Sequence, residues 1–219
     1  MRNLTMNKLT VSITAATVSS LFAVAPASAD FQGISIDEID NGMGLGTTYR
    51  VYVDVETGDQ LDAIFGDSVD PLSITSETGF YQNMFGTYAP PSAALFGFFP
   101  SLEYDSFVTI GLLTDTGNAM LDIGVDWADF EAGNDLVTTN GSWFATPDDA
   151  QVFEVDGRVL IGQFTTASWI EGTINIQGKN ADLSNWQYRG VEFDSTVIPA
   201  PGAIALLGLA GFAARKRRK

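Results

Sequence analysis

The sequence predicts an all-β domain, an antiparallel two-sheet β-sandwich, set between two terminal segments that lie outside the fold. Three observations point to it. No long stretch keeps the apolar spacing of an amphipathic helix, and short β-branched and aromatic runs recur between glycine, proline and Asx residues. One run, "TTYRVYVDV", alternates with period two. It puts Tyr49, Val51, Val53 and Val55 on one face and Arg50, Tyr52 and Asp54 on the other, the pattern of a strand buried on one side.

Taken in chain order, strands are expected near residues 34–39, 47–55, 61–65, 107–113, 119–125, 172–177 and 187–193. Between them, "LVTTNGSWFATPDDAQVFEVDGRVLIGQF" places Asn140-Gly141 and Asp156-Gly157 between β-prone runs. Both pairs tolerate the positive φ of a type I′ turn, and with a looser turn at Pro147-Asp148-Asp149 they predict a four-strand antiparallel meander over residues 136–164. About ten short strands suit two facing sheets, with a jelly roll as one order they could take. "PSAALFGFFPSLEYDS", residues 91–106, is the least regular stretch, and its Phe96, Phe98, Phe99 and Tyr104 are expected to cover one end of the sandwich and fill its core, or else to form an apolar wall facing a ligand.

The termini read differently. Arg2 and Lys8 precede an apolar, small-residue stretch that ends in Ala27-Ser28-Ala29, the pattern of a signal peptide with a signal helix over residues 1–29 and cleavage before Asp30. At the other end Ala203–Ala214 is 12 residues without a charge, and at about 1.5 Å per residue such a helix falls short of a bilayer core of roughly 30 Å. Pro199 and Pro201 suit its start, and Arg215, Lys216, Arg217, Arg218 and Lys219 close it with positive charge.

Pro199-Ala200-Pro201-Gly202, the short apolar helix and the basic cluster together resemble the PEP-CTERM sorting signal of exported bacterial proteins, with Ala200 where the usual motif has Glu. The resemblance covers residues 197–219 and implies an exosortase-like processing enzyme as partner and transient membrane contact through the C-terminal helix. The body also resembles uncharacterised exported bacterial proteins with such tails, through "YDSFVTIG", "NGSWFATPDDAQ" and "GRVLIGQFTT". That likeness implies location and architecture, not an activity.

Residues 30–196 are left as the acidic domain. All 27 acidic residues of the chain lie there, against only Arg50, Arg158, Lys179 and Arg189 of the 11 basic ones. Such a body repels nucleic acid and anionic lipid, both of which need positive charge on the protein. The chain has neither Cys nor His, which excludes disulfides, thiolate and imidazole metal sites, and Ser-His-Asp or Cys-His catalysis.

Chemistry remains open through carboxylates and aromatics. In "DVETGDQLD" the EF-hand pattern fails, since counting from Asp54 the required Gly and Glu positions hold Asp59 and Phe65; Asp54, Glu56, Asp59 and Asp62 are expected as solvated carboxylates at a strand end and turn. In "DTGNAMLDIGVDWADFEAGND" the strand rise sets Asp122 and Asp126 about 13 Å apart unless the chain bends at Gly124, so a Ca²⁺ site is sought at Asp126, Asp129, Glu131 and Asp135, against the plainer reading of an acidic edge. Trp143 and Trp169 are the candidate sugar-stacking residues, with core packing the alternative for all four tryptophans. With so many acids no glycosidase pair can be singled out. The expectation is therefore an exported, non-enzymatic surface or matrix protein, structural or adhesive, without a cofactor unless Ca²⁺ binds. Extracellular polysaccharide is its candidate partner, with a carbohydrate-binding module and a carboxylate-based glycan-active enzyme as the rivals.

Overall fold

Period-two burial converts directly into two antiparallel sheets. The computed structural model describes residues 31–197, so Ala27, Ala29, Asp30, Pro199, Ala200, Pro201, Gly202, Arg215, Lys216, Arg217 and Arg218, with both expected terminal helices, lie outside the described residues. The first sheet has four strands, β1 (Phe31–Asp40), β2 (Thr47–Val55), β9 (Arg158–Thr166) and β5 (Phe107–Val108), in the order β1-β2-β9-β5. In β2 the alternation is realised as read: Tyr49, Val51, Val53 and Val55 are buried and Arg50, Tyr52 and Asp54 are half-buried.

The second sheet has seven strands arranged in five rows. β11 (Asn185–Asp194) flanks β10 (Glu171–Lys179); on the other side of β10, β3 (Gln60–Gly66) and β4 (Leu72–Thr75) lie end to end. Beside them run β8 (Gly141–Phe144), paired with β3, and β7 (Leu136–Thr138), paired with β4; β6 (Leu121–Ile123) then flanks β8. Buried residues of both sheets, Val51, Val53, Val159 and Ile161 with Ile64, Ile74, Ile174 and Ile176, join one hydrophobic cluster, a sandwich-like all-β arrangement. Sheets of four and seven strands differ from the eight-strand jelly roll, because two rows of the larger sheet are each filled by two short strands, β3 with β4, separated at residues 67–71, and β8 with β7 beside them.

The same interruption overturns the four-strand meander. β7 and β8 do not pair with each other; they continue one another along β4 and β3, so Thr139-Asn140 crosses the break instead of reversing the chain. Neither Asn140 nor Gly141 has a positive φ. Gly141 is needed for room, since a Cβ there would lie 2.6 Å from Val125 and 2.7 Å from Thr138, and it faces Gly66, where a Cβ would lie 2.4 Å from the Thr138 carbonyl. Asp156-Gly157 does form the expected turn, with φ of 56° and 80°, and Val155 and Arg158 exchange backbone hydrogen bonds across it. The strand expected before that turn is reduced to two isolated bridges, Phe153 to Gln60 and Val155 to Arg158, preceded by a 3-10 turn at Ala150–Val152.

Two further expectations change. β5 stops at Val108, short of Leu113, because Gly111 turns the chain away at φ 76°. The rings of residues 91–106 do not fill the core: Phe98 is 79% exposed and Phe96, Phe99 and Tyr104 stay half-exposed. The aromatic centre is instead Phe80, Phe130 and Phe164, with centroids 5.4–6.2 Å apart.

Candidate functional site

One bulge places the group that distinguishes the outer face of the seven-stranded sheet. Gln177 pairs with Ala63 and Gly178 with Leu61, so Asp62 is the extra residue of β3, and a bulge of this kind re-aims its side chain. The carboxylate is 7% exposed and its Oδ1 has no hydrogen-bond partner. Burial pushes the Asp62 carboxyl up to about 6, with Lys179 opposing the rise and Asp148 adding to it. The expectation of solvated carboxylates thus fails for Asp62, and also for Asp59, which is buried and accepts from the Ala181 N–H at 2.9 Å. Both lie in a β-strand or its approach, where the neighbouring rows cover them.

Around Asp62 the wall is fixed locally. The Ala145 N–H donates to the Asp62 carbonyl, and Gln60 and Asp148 exchange side-chain and backbone hydrogen bonds at 3.2 Å, which docks the Thr146–Asp149 turn against β3. A cleft of about 430 Å³ opens there, lined by Asp62, Pro147, Gln177, Lys179, Asn185, Trp186 and Gln187. A shallower pit of about 280 Å³ adjoins it through Asp62, Pro147 and Gln177, with Ile123 and Phe144 as its apolar side. Further along the same sheet, Ser73, Thr173 and Glu192 form one cross-strand row and Thr75, Glu171 and Asp194 the next, lining a groove of about 580 Å³. Together these carry carboxylate, amide, hydroxyl and ammonium groups, which is equipment for hydrogen-bonding a polar ligand.

The residues singled out for Ca²⁺ are only partly brought together. Gly124 does bend the chain, at φ 72°, and Asp126 caps the short helix α1 (Trp127–Glu131) by accepting from the Ala128 N–H. Asp126, Asp129 and Asp135 line one open cleft of about 850 Å³ with Glu77, and Asp135 accepts from the Ser76 N–H at 3.1 Å. Glu131 points elsewhere and accepts from the Tyr88 N–H. Among the described residues no group of three or more carboxylates is close enough to hold a metal ion. Asp122 is occupied by Tyr88 and Trp127, whose rings stack at 4.3 Å and whose O–H and N–H both donate to its carboxylate.

Of the two candidate stacking tryptophans, Trp143 is a core residue. It is fully buried, and its indole N–H donates to the Thr109 carbonyl at 3.1 Å, so no ring face reaches a ligand. Trp169 is half-exposed in the segment between β9 and β10. Replacing Trp143 by Phe is expected to lower the unfolding free energy by about 2–3 kcal/mol, from a small cavity and an orphaned carbonyl, while leaving polysaccharide retention unchanged. Denaturant titration with a parallel binding assay checks both halves of that expectation.

Sequence reasoning did not select Asp62 with Lys179, Gln177, Gln187 and Trp186. The available signal was an acid inside the apolar run "QLDAIF", where strand continuity forces the carboxylate into the sheet. No family model, curated protein or solved structure matches this chain. Among the described residues no helix is long and apolar enough to cross a membrane.

Proposed function

We propose that this is an exported, non-enzymatic adhesive protein of the cell envelope or extracellular matrix, whose sandwich body holds extracellular polysaccharide on the outer face of its larger sheet. In this reading residues 1–29 are removed after export. Residues 197–219 act as a PEP-CTERM-like sorting signal that touches the membrane transiently and is processed by an exosortase-like enzyme. One observation carries the adhesive part: the in-register rows Ser73, Thr173, Glu192 and Thr75, Glu171, Asp194 give an extended solvent-facing strip of hydroxyls and carboxylates along β4, β10 and β11. Hydrated polymers are held by such repeated hydrogen bonds, and side chains on a rigid sheet lose little freedom in making them. The acid excess of the body favours neutral over anionic polymer.

A carbohydrate-binding module is the second reading, favoured by the discrete cleft at Asp62. The test is to isolate the native protein from cell and medium fractions, measure its mass, and co-sediment it with the extracellular polysaccharide of the same cells. The expected result is a mature N-terminus at Asp30, a shortened or conjugated C-terminus, and co-sedimentation. A cytosolic chain intact from Met1 to Lys219 overturns the export reading. Release of reducing sugar that disappears in Asp62→Asn overturns the non-enzymatic one.

A further inference from the structure

We propose that the exposed aromatic patch at Met84, Phe85 and Phe98 is the seat of this chain's own C-terminal segment, the apolar run Ala203–Ala214, which covers it until the tail is processed. The inference rests on the sorting-signal reading above and adds to it a docking surface for the signal.

The patch is held with its apolar side outward. Met84 is 85%, Phe98 79% and Phe85 46% exposed, and the Phe85 and Phe99 rings lie 4.0 Å apart. Beneath them the Asn83 amide donates to Ser101 Oγ at 2.9 Å and to the Tyr81 hydroxyl at 3.0 Å. The Asn83 backbone N–H donates to the buried Asp105 carboxylate, and its Oδ1 accepts from the Phe85 N–H. Polar groups thus fix the loop from inside while rings that ordinarily pack inside face water, and an exposed apolar patch of this kind marks a contact surface.

Charge selects the occupant. No residue from Thr78 to Leu102 carries a charge, and exposed Glu77 and Glu103 flank that stretch. The tail is its counterpart, an uncharged run from Ala203 to Ala214 followed by Arg215, Lys216, Arg217, Arg218 and Lys219. A second copy or an anionic membrane would set negative charge against the acidic body, whereas the tail sets cations against it.

Reach agrees with that choice. At the base of the patch the Tyr81 N–H donates to the Thr165 carbonyl, and near the exit of the tail Ser195 exchanges hydrogen bonds with Ile170. Patch and exit are therefore both tied to residues 165–170, where β9 passes into β10. Residues 198–202, extended by Pro199 and Pro201, cover about 15 Å, and the apolar run adds about 18 Å as a helix; together they match the diameter of a small domain.

The chain has no cysteine, so paired substitutions report proximity without interference. The experiment uses the exported chain from Asp30 to Lys219, in dilute solution under mild oxidation. Phe98→Cys with Leu207→Cys is compared with Val69→Cys with Leu207→Cys; Val69 is 80% exposed, so both pairs are open to a tethered tail. The expected result is an intramolecular disulfide that forms about tenfold faster or more at position 98 than at 69, and that slows when Met84→Ser is added or when salt screens the cations. Positions 69, 84 and 98 are exposed, so these variants keep the fold, which circular dichroism checks. Equal rates overturn the assignment. So does a preference of Phe98→Cys alone for disulfide-linked dimers, which would seat a second copy on the patch. Binding to phosphatidylcholine vesicles that is lost in Phe98→Ser, with the two rates equal, would give the patch to lipid instead. A native protein that keeps Lys219 in both cell and medium fractions removes the sorting reading and leaves the docking to be decided by the disulfide rates.

Discussion

Asp105→Asn is expected to raise the unfolding free energy at pH 8 by about 2–4 kcal/mol and to flatten its dependence on pH. Asp105 is fully buried beneath the loop that carries Asn83 and Gly86. Its Oδ1 accepts from the Asn83 N–H at 2.6 Å, while Oδ2 has no partner. Burial pushes this carboxyl up to about 7; the N–H groups of Asn83 and Ser106 oppose the rise and the charge of Glu131 adds to it. The folded protein therefore holds the proton more tightly than the unfolded chain, in which the group titrates near 3.8. The contribution of Asp105 to stability is therefore greatest below about pH 4, falls as pH rises towards about 7, and levels off above it. A rise of about three pH units sets an upper size of about 4 kcal/mol. Asn retains the acceptor for Asn83 and carries no charge to bury. Asp62, raised to about 6, adds to the wild-type slope in the same direction, so Asp105→Asn removes the larger part and not all of it. Denaturant titrations at pH 5 and pH 8 decide the matter; an unchanged difference between the two would show that Asp105 is not its source.

Asn175→Ala is expected to cost about 4 kcal/mol, the largest loss from any single polar truncation proposed for this protein. Asn175 is fully buried in β10, opposite the register shift in β11 where Gly190 takes φ 61°. Its amide donates to the carbonyls of Phe65 and Asp70, at 3.0 and 2.7 Å, and its oxygen accepts from the Gly190 N–H at 2.9 Å. These three backbone groups are the ones that irregularities in two rows leave without ladder partners. Truncation orphans all of them at once, at roughly 1–3 kcal/mol each before relaxation. Asn175→Asp should be at least as damaging, because it replaces the donor to two carbonyls with an acceptor. Ion pairs from Arg189 to Asp67 and Asp70, at 2.6 and 3.0 Å, hold the same 67–71 loop from outside but are solvent-exposed, and Arg189→Ala should cost far less. Equal losses from Asn175→Ala and Arg189→Ala, measured by chemical unfolding, would contradict this account.

These two positions also mark the limit of what residue patterns disclosed. β2 was legible because alternation is a property of adjacent residues, and "TTYRVYVDV" needs no partner to be read. The strands expected near residues 172–177 and 187–193, as β-prone runs between turn residues, are present as β10 and β11. Asn140-Gly141 misled because glycine answers to two requirements, positive φ and close approach, and only the second operates where Gly141 faces Gly66. Trp143 could not be assigned to core or surface until Thr109 was brought against its N–H from 34 residues away. Asp62 was passed over because a sequence count takes every carboxylate as equally solvated, whereas a bulge and the two neighbouring rows decide which one is not.

By itself the sequence determined the all-β class, the acid-rich body free of thiol and imidazole chemistry, and most strand positions. These depend on composition and on neighbours one or two residues apart. The tertiary structure alone decided that β3 with β4, and β8 with β7, each share a row, that Asn175 bridges the break between them, and that Asp62, Asp105 and Trp186 keep buried polar atoms without protein partners. Burial and pairing come from residues tens of positions apart, so their energies appear only when the sheets close over them.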